Sequence, residues 1–378
     1  MPKYRFTEIA INSTEKKKPT EADKETYIGL EHLDSGTLTV SRWGSEVAPI
    51  GEKLLMKKGD VLFGKRRAYQ KKVGIAPFDG IFSAHGMVLR PREEIITKEY
   101  FPLFISSDYF LNEAIRISVG SLSPTVNWKD LKDLTFNIPT IEEQRRITPL
   151  VWAAIKAKNA YKTLIQRTDD LVKSQFIEMF GDLQSNSKGL DLKPLSELIL
   201  IERGGSPRPI EKYITDSPDG VNWIKIGDAT EGSIYITQTK ERIIREGTKK
   251  SRYVQPGDFL LSNSMSFGRP YILTIDGYIH DGWLVLRDND KLFNKLFLHT
   301  LLSSDYAMAS FESMAAGSVV KNLNKELVGK LRVPVPDMAM QTAFATFVEQ
   351  SDKSKFELQE AIVRIDNFIK SLIQQDDN

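Results

Sequence analysis

The sequence predicts a mixed α+β protein built as an internal repeat: two similar α/β domains separated by two long helices that form an antiparallel coiled coil. Three observations predict it. First, Ser106-Ser107-Asp108-Tyr109 recurs as Ser303-Ser304-Asp305-Tyr306, a shift of 197 residues (303 − 106). The same shift carries Gly120-Ser121 onto Gly317-Ser318, Pro139 onto Pro336, Gln144 onto Gln341 and Lys173-Ser174 onto Lys370-Ser371. A repeat of such long period fixes the architecture before any local reading. Second, an apolar seam with 4-3 spacing runs through residues 147–179 and again, shifted by 197, through residues 344–372. That spacing marks long helices which pair along one face. Third, the stretch ahead of each helix mixes short apolar runs with turn signals, as α/β domains do. Two copies of one unit make a pseudo-twofold molecule, and such a molecule suits a target that is itself split in two.

With 378 residues the length prior is two or three domains, and the repeat decides for two. The expected boundaries are 1–136 for the first domain, 137–182 for the central helix, 183–333 for the second domain and 334–378 for the closing helix. The absence of cysteine excludes disulfides, thiolate zinc sites and cysteine nucleophiles, and accords with a cytoplasmic location. No signal peptide and no run of 18 apolar residues is present, so no membrane role is expected. The net charge is only +2, so a footprint for nucleic acid has to be local.

In the first domain, residues 25–31 form a short extended stretch. Lys57-Lys58-Gly59-Asp60 is a turn, and Val61-Leu62-Phe63 a strand. The strand runs into Gly64-Lys65-Arg66-Arg67-Ala68-Tyr69-Gln70-Lys71-Lys72, five cations and an aromatic between two apolar runs. A basic loop of this kind reads phosphates and base edges, and it makes Lys65, Arg66, Arg67 and Gln70 the candidate contacts. Lys16-Lys17-Lys18 reads as a solvated surface run. Residues 80–90 alternate as one strand containing His85, a lone histidine read as structural. Residues 97–117 turn helical, and Gly120-Ser121 breaks the pattern.

Thr140-Ile141-Glu142-Glu143 has the spacing of a capping box behind Pro139 and opens the first long helix. Its seam is Ile147, Val151, Ala154, Lys158, Tyr161, Ile165, Thr168, Val172, Gln175 and Met179, with a neighbouring stripe of Leu150, Ala157, Leu164 and Leu171. Pro149 is expected to kink or restart the helix, with Thr148 capping the restart. Over residues 140–180 the helix spans roughly 60 Å, too long to be buried in one domain, so it needs a partner. The closing helix supplies it, with Phe344, Val348, Ser351, Lys355, Leu358, Ile362, Ile365, Ile369 and Leu372 in the same register.

After a polar linker at 183–192, the second domain presents Arg203-Gly204-Gly205-Ser206-Pro207-Arg208, a tight basic turn whose N–H groups and guanidinium forks suit phosphates or guanine edges. Residues 223–228 answer the first domain's 27–31 strand, and 255–260 answer 57–62. Ser262-Asn263-Ser264-Met265-Ser266-Phe267-Gly268-Arg269 then stands where the first domain has its basic loop. The place is equivalent and the chemistry differs, as expected of two readers of different sequences. The candidate contacts here are Arg203, Ser206, Arg208, Asn263, Ser264 and Arg269.

Catalytic readings find little support. There is no Gly-x-x-x-x-Gly-Lys phosphate loop. Pro218-Asp219 and Pro336-Asp337 lack a following Glu-x-Lys. Arg269-Pro270-Tyr271 lacks the polar residue and first proline of the amino-methyltransferase motif. His32, His85, His280 and His299 show no metal-ligand spacing. A stand-alone enzyme acting on nucleic acid and a coiled-coil scaffold are the alternatives; each lacks a feature that favours it.

The markers Tyr27-Ile28-Gly29-Leu30-Glu31, Gly59-Asp60-Val61-Leu62, Gly120-Ser121, Ile138-Pro139 with Gln144, and Lys173-Ser174-Gln175-Phe176 through Phe180-Gly181-Asp182 stand in order. Gly257-Asp258, Gly317-Ser318, Pro336 and Gln341 repeat them. In this the chain resembles, over essentially its full length, a specificity (S) subunit of a Type I restriction–modification system. The resemblance implies two target-recognition domains, each reading one half of a split double-stranded DNA site, with the helices acting as a ruler for the spacer. It implies no catalytic residue, cofactor or metal in this chain. Two methyltransferase (M) subunits would carry S-adenosylmethionine and the adenine-N6 chemistry, and motor-nuclease (R) subunits would join for cleavage.

Overall fold

In the computed structural model the described residues are 1–230, 232–263, 267–315 and 322–373. The chain forms two compact units, Met1–Lys162 with Gln359–Asn378, and Thr163–Leu358. Both boundaries fall inside the long helices, so each unit owns part of each helix.

The first unit holds two four-stranded sheets. In one, Ala10–Ser13, Met87–Pro91, Val61–Phe63 and Val73–Ile75 pair antiparallel in that order. In the other, Lys53–Met56 lies between Lys16–Lys17 and Gly80–Phe82, and Tyr27–Ile28 adds in parallel. Val61, Phe63 and Leu89 on one face join a core with Phe101, Phe104, Phe110 and Phe136. Leu62, Phe82 and Val88 face a second cluster with Ile28 and Met56. The alternation of a strand's side chains between two faces feeds the two cores. The helical stretch is divided into Phe101–Ser106 and Asp108–Arg116. Ser107 between them accepts from Phe110 N at 3.3 Å and caps the second piece.

The second unit repeats the plan. Leu200–Arg203, Trp283–Arg287, Phe259–Ser262 and Pro270–Leu273 form the first sheet, with Tyr235–Ile236 added at its edge. Glu241–Ile243, Val221–Ile224, Gly277–Ile279 and Arg252–Val254 form the second. Lys295–Ser303 and Asp305–Ala315 are its helix pair. Each unit has a matching ion pair of its own, built on a buried aspartate. Arg90 grips Asp60 at 2.8 and 2.9 Å beneath the turn at 57–60, and Arg287 grips Asp258 at 3.1 Å beneath the turn at 255–258.

The first long helix is Ile141–Phe180, with Thr140 Oγ1 accepting from Glu143 N at 3.3 Å, and the closing helix is Met338–Ile373. Seam positions from Ile147 to Met179 and from Phe344 to Leu372 are buried or half-buried, none exposed, whereas Leu150, Leu164 and Leu171 of the neighbouring stripe are exposed. In the first unit Ile155 and Trp152 share a core with Ile369, Leu372 and Ile373, and Lys158 meets Asp366. In the second, Asp169 meets Lys355 and Phe176 meets Phe344. In both, residue numbers rise on one helix as they fall on the other, so the helices pair antiparallel.

Two expectations are corrected. Residues 80–90 are two strands, not one: a turn at 83–86 closes with Gly86 N on Ser83 O at 3.0 Å and takes His85 out of the strand. A Cβ on Gly86 would lie 2.0 Å from the Phe82 ring, so only glycine fits the turn's end. The first long helix does not restart at Pro149. It runs through, because Ile147 and Val151, both wholly buried, fasten it to the core on either side. Thr148 Oγ1 is buried without a hydrogen-bond partner and caps nothing.

Candidate nucleic-acid interface

In the first unit the basic loop leaves the strand Val61–Phe63 and is zipped to two neighbours. Arg66 N donates to His85 O at 3.2 Å, which ties it to the turn at 83–86. On its other side Arg67 N donates to Pro124 O at 2.7 Å, and Lys65 O accepts from Val126 N at 2.9 Å. Arg67 and Lys71 hold left-handed backbone, φ 55° and 51°, on either side of the tight turn Ala68–Gln70. Non-glycine residues in that region cost about 1–2 kcal/mol each, and such strain clusters at binding sites.

The result is a preset row of cations. Arg66 and Arg67 are exposed, while Lys65 and Gln70 are half-buried. Arg66 Nη1 lies 3.5 Å from His85 Nε2 and Arg67 Nε 3.4 Å from Ser123 Oγ. Burial, with Lys16 nearby, lowers the Lys65 ammonium below its ordinary value. Burial, then Arg66, Lys65 and Lys53, lowers the His85 imidazole. Burial is the larger cause in both groups, and the cations around His85 add to its lowering. The rest of the run is diverted: Lys71 bonds Asp108 at 2.7 Å and Lys72 bonds Leu30 O at 2.7 Å. Lys17 is likewise paired, with Asp23 at 2.8 Å.

In the second unit four of the predicted residues converge on a residue that sequence reasoning missed, Asp281. Ser206 Oγ donates to Asp281 Oδ1 at 2.8 Å, and Arg208 Nη2 reaches Asp281 Oδ2 at 3.3 Å. Arg203 Nε and Asn263 Nδ2 both donate to the Asp281 carbonyl, at 3.2 and 2.8 Å. Arg203 and Arg208 are exposed, Ser206 is half-buried, and Asn263 lies beneath them, 2% exposed. The glycines explain the close packing: a Cβ on Gly204 would meet His280 O at 2.3 Å, and one on Gly205 would meet Lys250 O at 2.3 Å. Arg269 is exposed, with its N–H on Ser262 Oγ at 3.0 Å. Ser264 and the Gly317-Ser318 pair lie outside the described residues.

His280 also belongs to this cluster. Its Nε2 is 3.0 Å from Asp281 Oδ1 and its Nδ1 accepts from Gly282 N at 2.9 Å. Burial lowers the imidazole below its ordinary value, against the raising effect of Asp281. Burial alone would raise the Asp281 carboxyl, but the Ser206 bond and the neighbouring His280 and Arg208 bring it below its ordinary value. At neutral pH the group is a carboxylate. The His-Asp-Gly sequence ahead of a strand was the available signal, since Asp-Gly marks a turn.

Comparison with known proteins follows the same division. The family profile described as "Type I restriction modification DNA specificity domain" matches residues 6–160 and 188–364. The Type I restriction enzyme EcoDI specificity subunit of Escherichia coli is 25% identical over 186 residues, 47% of this chain and 41% of that protein. The match thus spans well under half the length of that relative. The putative type I restriction enzyme MjaX specificity subunit of Methanocaldococcus jannaschii is 22% identical over 338 residues, 82% of this chain and 77% of that protein. A solved structure described as "Structural basis underlying complex assembly and conformational transition of the type I R-M system" superposes with a TM-score of 0.61 at 20% identity, covering 99% of this chain and 96% of its own. At that identity the superposition speaks to the fold alone.

Proposed function

The chain belongs to the Type I restriction–modification DNA specificity family, and on that premise we propose that it is the DNA sequence-recognition subunit of such a complex. Each α/β domain reads one half of a bipartite duplex site. The paired helices set the spacer and dock two methyltransferase subunits. The observation that carries this reading is the contrast at one place in the fold. After the equivalent strands Val61–Phe63 and Phe259–Ser262, the first unit presents Lys65, Arg66 and Arg67, and the second presents Asn263, which joins Arg203, Ser206 and Arg208, from the end of the edge strand Leu200–Arg203 and the segment after it, around Asp281. Two copies of one scaffold with unlike polar loops are what reading two unlike half-sites requires.

The chemistry goes to other chains. We assign no catalytic role to this polypeptide; the methyltransferase subunits would bind S-adenosylmethionine and methylate adenine N6, and motor-nuclease subunits would add cleavage. A cytoplasmic location accords with that role. Among the described residues no helix is long and apolar enough to cross a membrane.

The test is methylation mapping in a host that carries the chain and its methyltransferase partner. One split motif is expected. Exchanging residues 183–333 for the corresponding segment of another family member should change one half of the motif and leave the other. A change in both halves, or in neither, would overturn the reading.

A further inference from the structure

Each unit sets one four-residue turn against its polar loop. In the first the turn is 83–86, and Arg66 N donates to His85 O at 3.2 Å. In the second it is 280–283, closed by Trp283 N on His280 O at 3.1 Å, and Asn263 N donates to Gly282 O at 3.0 Å. The two turns are topologically equivalent: each joins the second sheet to the first and accepts a backbone hydrogen bond from the polar stretch after Val61–Phe63 or Phe259–Ser262, and the 197-residue shift carries Arg66 onto Asn263. Their central residues differ: Ala84 and His85 in the first turn, Asp281 and Gly282 in the second. The first turn offers His85 to a cluster of cations, while the second offers the carboxylate of Asp281 to the basic turn.

A carboxylate on a DNA-reading face is repelled by every nearby phosphate. Beyond holding Ser206 and Arg208, that of Asp281 can accept a hydrogen bond from a base, and in the major groove the donors are the amino groups of cytosine N4 and adenine N6. Asp281 is built for that task. Its Oδ1 is committed, bound by Ser206 at 2.8 Å and lying 3.0 Å from His280 Nε2. Among the described residues its Oδ2 meets only the long 3.3 Å contact from Arg208, whose side chain is 80% exposed and free to swing away. One oxygen is anchored and the other is offered. The carboxylate stays 31% exposed, although its backbone carbonyl anchors Arg203 and Asn263.

We propose that Asp281 is a specificity-determining residue of the second half-site, its Oδ2 accepting a hydrogen bond from the exocyclic amino group of one base while Arg208 leaves it for a phosphate or a guanine edge. The first domain has no such acceptor in its turn and reads acceptor-rich edges with Lys65, Arg66 and Arg67. The inference rests on the DNA-recognition reading and assigns a base class to one position within it.

Asp281→Asn keeps the shape and puts an amide in place of the carboxylate. The substituted chain, assembled with its methyltransferase partner, is mapped by single-molecule sequencing of methylated DNA beside the unsubstituted chain. A single position in one half of the motif should relax or change, and that position should normally hold cytosine or adenine. Discrimination there should fall about 5- to 150-fold, the worth of one good base contact. The other half and the spacer should not change. Asp281→Glu, which keeps the charge and displaces the acceptor, should disturb the same position. An unchanged motif in both variants overturns the proposal, and so does a uniform loss of methylation at every position by variants that melt like the parent. An unsubstituted chain that yields no split motif overturns the DNA-recognition reading itself, and so is told apart from either result.

Discussion

Lys158 Nζ lies 2.5 Å from Asp366 Oδ1 within the first unit, and the repeat shift of 197 residues turns this pair into the one in the second: Lys355 Nζ lies 2.8 Å from Asp169 Oδ1. Each lysine takes its aspartate from the other repeat. The Ser-Ser-Asp and Lys-Ser motifs are crossed in the same way, Lys370 with Asp108 at 3.5 Å and Lys173 with Asp305 at 3.8 Å. Neither domain is completed by its own helix end. Residues 359–373 finish the first unit and residues 163–180 the second.

Charge reversal tests the crossing. Lys158→Glu should destabilise the protein, and Asp366→Lys should restore most of the loss. Asp169→Lys, a change on the same helix, should not restore it. Lys158 is largely covered, with 18% of its side chain exposed, so a coupling of about 1 kcal/mol is expected from urea unfolding of the double-mutant cycle. Rescue by Asp169→Lys instead would mean that the ion pairs are not crossed.

Much of this was legible because it is periodic. The seam from Ile147 to Met179 repeats every three or four residues, and every position on it is buried or half-buried, though near its end the buried Phe176 and Phe180 lie beside it. The Gln144 and Gln341 markers were legible as a repeated pair, and the structure sets each in the first turn of its long helix. What was not legible depends on contacts distant in sequence. Asp281 gains its place from Ser206, 75 residues earlier, and no local pattern announces that meeting. His85 looked solitary because Arg66 lies 19 residues away in the chain and 3.5 Å away in space. The basic run at 65–72 looked uniform, yet Lys71 and Lys72 are held by Asp108 and Leu30, which only the fold brings near.

Gln144 is wholly buried, accepts from Thr97 N at 2.7 Å, and donates to Ile95 O and Pro139 O at 2.9 and 2.8 Å. Gln341 does the same with Asn294 N, Leu292 O and Pro336 O at 2.8, 3.1 and 2.8 Å. Truncation strands buried backbone groups, each worth about 1–3 kcal/mol. Gln144→Ala and Gln341→Ala should each lower the unfolding free energy by about 2–3 kcal/mol. Because the sites share no partner, the double variant should lose the sum within about 0.5 kcal/mol in denaturant titrations.

Arg66 and Arg208 should act on separate halves of the target. Arg66→Ala and Arg208→Ala are each expected to weaken specific binding by about 1–3 kcal/mol if the guanidinium reads a base edge, relaxing one position in one half of the motif. A phosphate contact would instead weaken binding evenly and reduce the salt slope by about one. Binding titrations across salt concentrations, together with motif mapping, separate these outcomes.

His299 gives the second unit a pH dependence. Burial brings its imidazole down to about 4, outweighing the Pro270 carbonyl and Asp352, which raise it; Lys355 adds to the lowering. The unfolded chain titrates near 6.5. The folded state thus favours the neutral ring, and the unfolded state takes up the proton first as pH falls. The contribution is complete above about pH 6.5 and is lost as pH falls through about 4. His299→Gln should flatten the difference in unfolding free energy between pH 7.5 and 4.5 by on the order of a few kcal/mol, as read by denaturant unfolding at the two pH values. An equal slope in parent and variant would remove His299 as the source.

Pro149 is the ninth residue of an uninterrupted 40-residue helix. It has no N–H to offer the Arg145 carbonyl four residues back, and its ring crowds that carbonyl. The other repeat shows the same position without the defect: Thr346 is exposed, and its hydroxyl donates to Thr342 O at 3.1 Å. The helix survives at Pro149 because the neighbours Ile147 and Val151 are fully buried and offset the missing bond. Pro149→Ala should therefore stabilise the protein by about 1–2 kcal/mol, the gain in helix propensity being reduced by the freer unfolded chain. Thr346→Pro should cost about 3 kcal/mol, since it introduces the defect into a helix that lacks it. Both shifts should appear in the denaturant midpoint with the slope unchanged, because the surface exposed on unfolding is the same. A destabilised Pro149→Ala would show that the ring itself fills a needed place beside the core, and that the helix is fitted to its proline rather than tolerant of it.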